Sequence, residues 1–314
     1  MEIVRGYTTL RRRLRSPVIA IGNFDGVHRG HAYLFQQAKK LAEPIAKDAE
    51  AVVLTFEPHP AKVLAPAFAP PLITPLQRKL ELIAAEGIDV TVVEPFDREL
   101  AARSPEAFVD ELLVGGLGAR RVCVGHDFTF GAQRAGTIER LQELGKSRGF
   151  EVTIVSAYSV DGMVCSSTKV REFVLEGRVD GARLLLGREP EVEGEVVNGD
   201  GRGRTIGVPT ANVKSDTELL PKNGVYAGWG ELPDGTRHAA AINVGTNPTF
   251  VAQGVAVSVE AHLLGVSMDL YGKRLRVGFT ERLRAEERFP SADALIAQIR
   301  RDIEATSRVW AQRG

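Results

Sequence analysis

Pro17-Val18-Ile19-Ala20-Ile21-Gly22-Asn23-Phe24-Asp25-Gly26-Val27-His28-Arg29-Gly30-His31 holds a strand, a turn and a helix start in one short stretch. The apolar run Pro17–Ile21 reads as a buried strand. Glycine, Asn and Asp then mark a turn, and helical spacing runs from Gly30 to Ala42. The same alternation continues outward. Strand-like runs lie at Ala51–Phe56, Asp89–Val93, Arg121–Val124 and Glu151–Val155, with helix-like segments at Pro75–Ala85, Pro105–Val114 and Ile138–Arg148 between them. Thr74-Pro75-Leu76-Gln77 and Ser104-Pro105-Glu106 carry cap-then-Pro helix starts. Strands alternating with helices predict right-handed crossovers and a parallel sheet, an α/β nucleotide-binding type of domain.

The pattern changes after Gly187-Arg188-Glu189-Pro190. Short β-branched runs at Val192–Val197, Val225–Gly230, Ala239–Val244, Val257–Leu264 and Arg274–Phe279 are separated by Gly, Pro, Asn and Asp. Such spacing predicts a small antiparallel barrel or sandwich. A last helix is expected behind Ser291, with Leu295, Ile299 and Ile303 on its apolar face. The chain therefore divides into residues 1–187 and 188–314.

With 314 residues, 44% hydrophobic and 25% charged, the chain has room for two globular domains and is not intrinsically disordered. Forty Lys plus Arg balance forty Asp plus Glu, so no broad field draws nucleic acid or an anionic membrane. Any anion must be gripped locally. Two cysteines, Cys123 and Cys165, are too few for a disulfide scaffold or a thiolate zinc site and read as buried free thiols. Met1–Arg5 lacks a secretory signature. The uncharged stretch Ala239–Val259 alternates and contains Asn243, Asn247 and Pro248, against a membrane span. The cytoplasm is expected, and homo-oligomerisation is left open.

The turn Gly22–His31 places His28 and His31 three apart at a helix start, where backbone N–H groups and imidazoles can meet a phosphate. Taken alone, a capping or exposed His pair explains the residues equally well. Ser166-Ser167-Thr168-Lys169-Val170-Arg171 offers a second helix start with hydroxyls and a guanidinium, although a plain N-cap also accounts for it. Two such starts in one pattern suggest a polyphosphate. Gly199–Asn212 is glycine-rich with Arg202 and Arg204. Its spacing fails the dinucleotide fingerprint, and no Gly-Lys-Ser/Thr is present for a Walker loop. Thr210 and Asn212 alternate, so both oxygens can face one hard cation such as Mg²⁺. A turn followed by a half-buried strand explains the same residues.

Further matches make a resemblance specific. Thr55-Phe56-Glu57-Pro58-His59-Pro60, Val124–Gly131 and Leu186-Gly187-Arg188 join the Gly22–His31 and Ser166–Arg171 segments. Together they resemble the FMN adenylyltransferase module of prokaryotic bifunctional riboflavin kinase/FAD synthetases. Gly201–Asn212, Leu220–Tyr226, Ile242–Thr246, Glu260–Leu263 and Asp269–Lys273 look like the riboflavin kinase module. The latter is a six-stranded antiparallel barrel with a terminal helix, following an α/β nucleotidyltransferase domain.

The resemblance implies that the second module makes FMN from riboflavin and ATP, and the first makes FAD and pyrophosphate from FMN and ATP. It assigns His28 and His31 to transition-state stabilisation and Glu260 to the kinase base. Gly22, Asn23, Phe24 and Asp25 would line the ATP site of the first module, and Ser167, Thr168 and Arg171 would hold the β and γ phosphates. Gly201, Arg202, Gly203 and Arg204 would wrap the kinase phosphates, with Thr210 and Asn212 on Mg²⁺. His59, Asp127, Phe128 and Phe130 fall on the flavin side of the first module. An aromatic pair suits an isoalloxazine ring, though Phe128 and Phe130 also read as core. Two departures stand near the kinase loops: Asn247 where many relatives carry Arg, and Gly265–Met268 in place of an acidic turn. Other readings are a flavin sensor without turnover, a pair with one idle module, and a cytidylyltransferase acting on another substrate.

Overall fold

The computed structural model describes residues 1–198, 207–245 and 257–312. The chain forms two compact units. One comprises Met1–Pro71 and Leu76–Cys165; the other comprises Leu72–Pro75 and Ser166–Gly314.

The first unit is built on six parallel strands: β1 (Glu2–Arg5), β2 (Val18–Ile21), β3 (Ala51–Glu57), β4 (Val90–Pro95), β5 (Arg121–Gly125) and β6 (Glu151–Val155). Their order is β1-β4-β3-β2-β5-β6. Strand β2 is buried throughout, as a parallel strand covered on both faces must be. Helix α1 (Arg29–Ala42) covers one face through Leu34, Phe35 and Ala38, against Val18, Ala20 and Val53. The other face packs Ile19, Ile21, Val52 and Leu54 with Leu112 and Leu141. Helices α2 (Leu76–Ala85) and α3 (Ile138–Arg148) lie where the periodicity predicts them. From β2 the chain winds one way through β3 and β4, and later the other way through β5 and β6. The carboxyl ends of β2 and β5 thus flank the switch point where α/β sheets bind ligands.

Beyond the short helices Pro60–Leu64 and Arg98–Ala102, three features of this unit were not predicted. The edge strand β1 pairs with β4 from Glu2↔Val90 to Arg5↔Val93, but four residues are too few to show a period. A small hairpin joins β7 (Ser159–Val160) and β8 (Met163–Val164). The helix expected at Pro105–Val114 starts on its Ser104 cap, then widens into π-turns over Phe108–Gly116. There, Leu117 N–H reaches Leu112 O at 2.9 Å.

The second unit contains α4 (Ser167–Glu176), α5 (Val179–Leu186) and a closed antiparallel barrel. The barrel strands are β9 (Glu191–Val197), β10 (Ala211–Ser215), β11 (Gly224–Glu231), β12 (Arg237–Gly245), β13 (Ser258–Leu263) and β14 (Arg274–Arg284), closing in the order β10-β13-β12-β11-β14-β9. Closure removes the sheet edges, so the predicted choice between barrel and sandwich falls to the barrel. Helix α6 (Ala292–Ala311) follows, with Ser291 Oγ accepting from Ala294 N–H as its cap. The division read at Gly187/Arg188 and the compact grouping differ by Ser166–Gly187, which holds α4 and α5, and by Leu72–Pro75. Val179 enters the barrel core, and Lys222 N–H donates to Val174 O at 3.2 Å. Both cysteines are buried free thiols, and burial pushes the Cys123 thiol up to about 12.

Entry into β2 is pinned by Glu50, only 3% exposed. Its carboxylate accepts from the Arg12 guanidinium at 2.7 and 3.0 Å and from Arg15 N–H at 2.7 Å. Burial by itself would raise this carboxyl, but the Arg12 and Arg15 bonds and charges hold it below the usual carboxylate range. Its stabilisation is therefore present above the unfolded value and is lost as pH falls through the folded one. Glu50→Gln should cost about 2 kcal/mol at neutral pH. Urea unfolding across a pH series should show the gap from wild type closing below 4.5, the ordinary glutamate value. A gap constant with pH would contradict this role.

Candidate functional site

At the end of β2 the backbone turns through three left-handed residues: Phe24 at φ 51°, Gly26 at 83° and Val27 at 38°. A β-branched residue in that region is strained. What holds it is packing. The Phe24 ring is buried edge-on against Phe35 at 4.7 Å and His31 at 5.2 Å between centroids. Gly22 leaves room for that ring, since a Cβ there would sit 2.8 Å from Phe24 Cε1.

The turn delivers His28 to the N-cap of α1. Its Nδ1 accepts from Gly30 N–H at 3.1 Å and His31 N–H at 3.3 Å. An accepting Nδ1 places the proton of a neutral ring on Nε2. Gly30 is required by the same contact, because a Cβ would lie 3.0 Å from His28 Cε1 and 3.3 Å from Cys165 O. The His28 and His31 rings stack at 3.6 Å and 20°. The sequence expectation is corrected in one respect: the Gly30 and His31 N–H groups are used by the cap. Those two amides are therefore not the open donors the helix start suggested. His28 meets the capping reading.

Around this turn, Asp25 is 4% exposed and Asn23 half-buried. After β5, Asp127 is exposed and Phe128 half-buried. Phe130, 6% exposed, sits in the core beside Phe108 and stacks under Phe128 at 5.7 Å and 15°. Phe128 can thus offer a ring face while Phe130 backs it. His59 caps the short helix Pro60–Leu64, its Nδ1 accepting from Ala61 N–H at 3.2 Å.

In the second unit, Ser166 caps α4 through Lys169 N–H at 3.2 Å. Ser167 and Thr168 form its first turn, and Arg171 is half-buried one turn on. Gly201, Arg202, Gly203, Arg204 and Asn247 lie outside the described residues.

On the barrel, the register sets Asn212 opposite Glu260 and Glu260 opposite Asn243. Three polar side chains thus stand in a row across β10, β13 and β12. Thr210 and His262, each two residues along, share that face. The opposite face is the apolar barrel interior of Val213, Ile242, Val244, Val259 and Ala261. Over the polar row opens a cavity of about 400 Å³, lined by Thr210, Asn243, Glu260 and His262 and by Phe289 and Ile299. Half-buried Glu260 therefore lines a cavity that is partly open to solvent. Thr210 and Asn212 offer a hydroxyl and an amide oxygen, neutral hard donors that suit a Mg²⁺ arriving with phosphate oxygens. Among the described residues, no group of three or more His, Cys, Asp or Glu could hold a metal.

Sequence reasoning missed two supports of this cavity. His262 Nδ1 lies 2.7 Å from Pro209 O, and since a carbonyl only accepts, that nitrogen carries the proton. The two-residue period from Glu260 could have flagged it. Arg284 forks onto Asp302 of α6 at 2.8 and 3.2 Å, and Gln298 Nε2 donates to the same carboxylate at 2.8 Å. No local pattern marks a pair so distant in sequence.

Comparison with known proteins bears on both units. Residues 10–169 match a family described as FAD synthetase, and residues 186–310 one described as riboflavin kinase. The bifunctional riboflavin kinase/FMN adenylyltransferase of Escherichia coli K12 is 40% identical over 98% of this chain and 97% of its own. That of Pseudomonas fluorescens is 38% identical over 97% and 96%. A crystal structure described as a macrolide-efflux protein from Streptococcus pneumoniae covers 98% of this chain and 99% of that one, with TM-score 0.87 and 29% identity. Among the described residues here, no helix is long and apolar enough to cross a membrane.

Asp302, 7% exposed, is the acceptor that holds α6 over the cavity. Asp302→Ala should destabilise the protein by about 3 kcal/mol, because it leaves the Arg284 charge half-buried without its fork. Thermal unfolding measures this; an unchanged midpoint would show that the helix is held by its apolar face alone.

Proposed function

The chain belongs to the bifunctional riboflavin kinase/FMN adenylyltransferase family, and from that premise we propose which of its residues carry each transfer. The enzyme phosphorylates riboflavin to FMN and adenylylates FMN to FAD. The first step is assigned to residues 188–314 and the second to residues 1–187.

In the kinase step, Glu260 takes the proton of the riboflavin 5′-hydroxyl, whose oxygen attacks the γ phosphorus of ATP and releases ADP. The single observation that carries this is the row Asn212–Glu260–Asn243, whose Glu260 and Asn243 line a cavity large enough for a ring system. A half-buried carboxylate lining a cavity, with amide side chains on either side in the register, suits a positioned base. Thr210 and Asn212 hold Mg²⁺, which neutralises phosphate charge when bound. Gly201, Arg202, Gly203 and Arg204 are assigned to the phosphates by their motif.

In the adenylylation step, an FMN phosphate oxygen attacks the α phosphorus of ATP, the α–β bridge breaks, and pyrophosphate leaves. No proton need be removed from an ionised phosphate. The residues therefore work by position and charge, not as bases. His28 donates from Nε2 while its Nδ1 caps α1, and His31 stacks against it. Charge growing on the phosphate oxygens is met by donors already in place. Gly22, Asn23, Phe24 and Asp25 shape the turn that receives ATP. Ser167, Thr168 and Arg171 take the β and γ phosphates. Phe128, backed by Phe130, offers a face to the flavin, with Asp127 and His59 at its margin. The cytoplasm, where ATP is abundant, is the compartment this chemistry suits.

Chromatography of flavins after incubation with ATP and Mg²⁺, from riboflavin and from FMN in parallel, tests the assignments. His31→Ala should lower FAD formation by about a hundredfold or more and leave FMN formation intact. Glu260→Gln should lower FMN formation by about a hundredfold or more and leave FAD formation from FMN intact. Swapped or absent losses would sink the assignments.

A further inference from the structure

Helix α2 carries a lysine with no place in the chemistry above. Lys79 is 6% exposed, a rare position for an ammonium. Burial lowers its affinity for the proton, while the charges of Glu57 and Asp25 oppose that shift. Its surroundings are specific. The ammonium has three N–H donors, and three oxygens receive them: Asn23 O at 3.3 Å, Thr55 Oγ1 at 3.3 Å and Phe56 O at 3.4 Å. Thr55 Oγ1 in turn donates to Asn23 O at 3.1 Å. Asn23 O is therefore gripped twice, by a hydroxyl of β3 and by the ammonium of α2.

We propose that Lys79 is a positioning residue of the adenylyltransferase centre, tying the Gly22–His31 turn to the end of β3 through Asn23 O, Thr55 Oγ1 and Phe56 O. The inference rests on assigning that turn to the transferase step. Asn23 immediately precedes the left-handed run Phe24, Gly26, Val27, whose far end sets the His28 ring on α1. A strained segment keeps its shape only if its ends are fixed. The Phe24 ring and the His28 cap fix one side, and the Thr55–Lys79 grip fixes the other. An apolar side chain in place of Lys79 would leave Phe56 O without this donor and Asn23 O with the Thr55 hydroxyl alone. The turn would relax and the imidazoles would lose their aim. Lys79 is bonded to the turn and to β3, and acts through them. Misplacement of reacting groups by about an ångström costs up to a hundredfold in rate, chiefly in the chemical step.

The test measures kcat and KM for FAD formation from FMN and ATP in the full-length enzyme. Lys79→Met, Thr55→Val and Thr55→Ser are compared with wild type and His31→Ala, and riboflavin phosphorylation by the same preparations is the internal control. Lys79→Met should lower kcat for FAD formation by about tenfold to a hundredfold, with KM values moving much less and the kinase rate unchanged. Thr55→Val should show a smaller loss in the same direction, and Thr55→Ser, which keeps the hydroxyl, should restore it. Wild-type kcat in Lys79→Met alongside a disabled His31→Ala would overturn the proposal. If Lys79→Met fails to fold, Thr55→Val decides: wild-type kcat there overturns the grip equally. A fully active His31→Ala would instead remove the assignment of the turn on which the inference rests.

Discussion

At the start of α1, folding and chemistry share one ring. His28 Nδ1 accepts the first amides of the helix, which places the proton of a neutral ring on Nε2. Several nearby residue choices follow from that contact. Gly30 must lack a side chain because the His28 ring lies over it. Gly22 must lack one because Phe24 fills that space. Val27 holds a left-handed backbone in the tight turn that brings His28 to the cap. The sheet order then matters, since β2 sits where the winding reverses and its carboxyl end opens beside that of β5.

The barrel reaches its site by another rule. Closure with a two-residue period sorts every strand into an apolar inner face and an outer one. A carboxylate, two amides and an imidazole fall on the outer face of β10, β12 and β13 by register alone, and the Thr210 hydroxyl stands just ahead of β10. Helix α6 gives that outer face its own cover, anchored by the fork from Arg284 to Asp302. One unit thus sets its donors by a strained turn, the other by strand register.

Much of this was legible in the residues. The period change near Pro190 separates parallel from antiparallel structure, and five of the six barrel strands start within two residues of the apolar runs; β14 extends on to Arg284, and β10 (Ala211–Ser215) coincides with none of them. Spacing also marks Glu260 and Thr210 as same-face residues once the register is known. The illegible parts have physical causes. Edge strand β1 is too short to show alternation. The π-turns over Phe108–Gly116 keep the composition of an ordinary helix. Lys79 sits among Arg78 and Glu81 on an amphipathic segment and looks like one more solvated charge; only the tertiary packing of α2 buries it. The pairing of Arg284 with Asp302 joins a strand to a helix, and no local pattern announces that. The motif of His28 and Gly30 was visible, but its capping geometry was not: spacing shows that two rings can meet an anion, not which nitrogen is already engaged.

The central claim is that this chain performs two different phosphorus transfers in sequence, each at its own centre. The most direct measurement starts from riboflavin and supplies ATP labelled at the γ phosphorus in one vessel and at the α phosphorus in another, then locates the label in the FAD formed. Kinase transfer followed by adenylylation predicts γ label only in the phosphate bonded to the ribityl chain and α label only in the phosphate of the AMP half. FMN that takes up γ label but never yields α-labelled FAD would contradict the claim, as would FAD whose ribityl phosphate does not derive from the γ position.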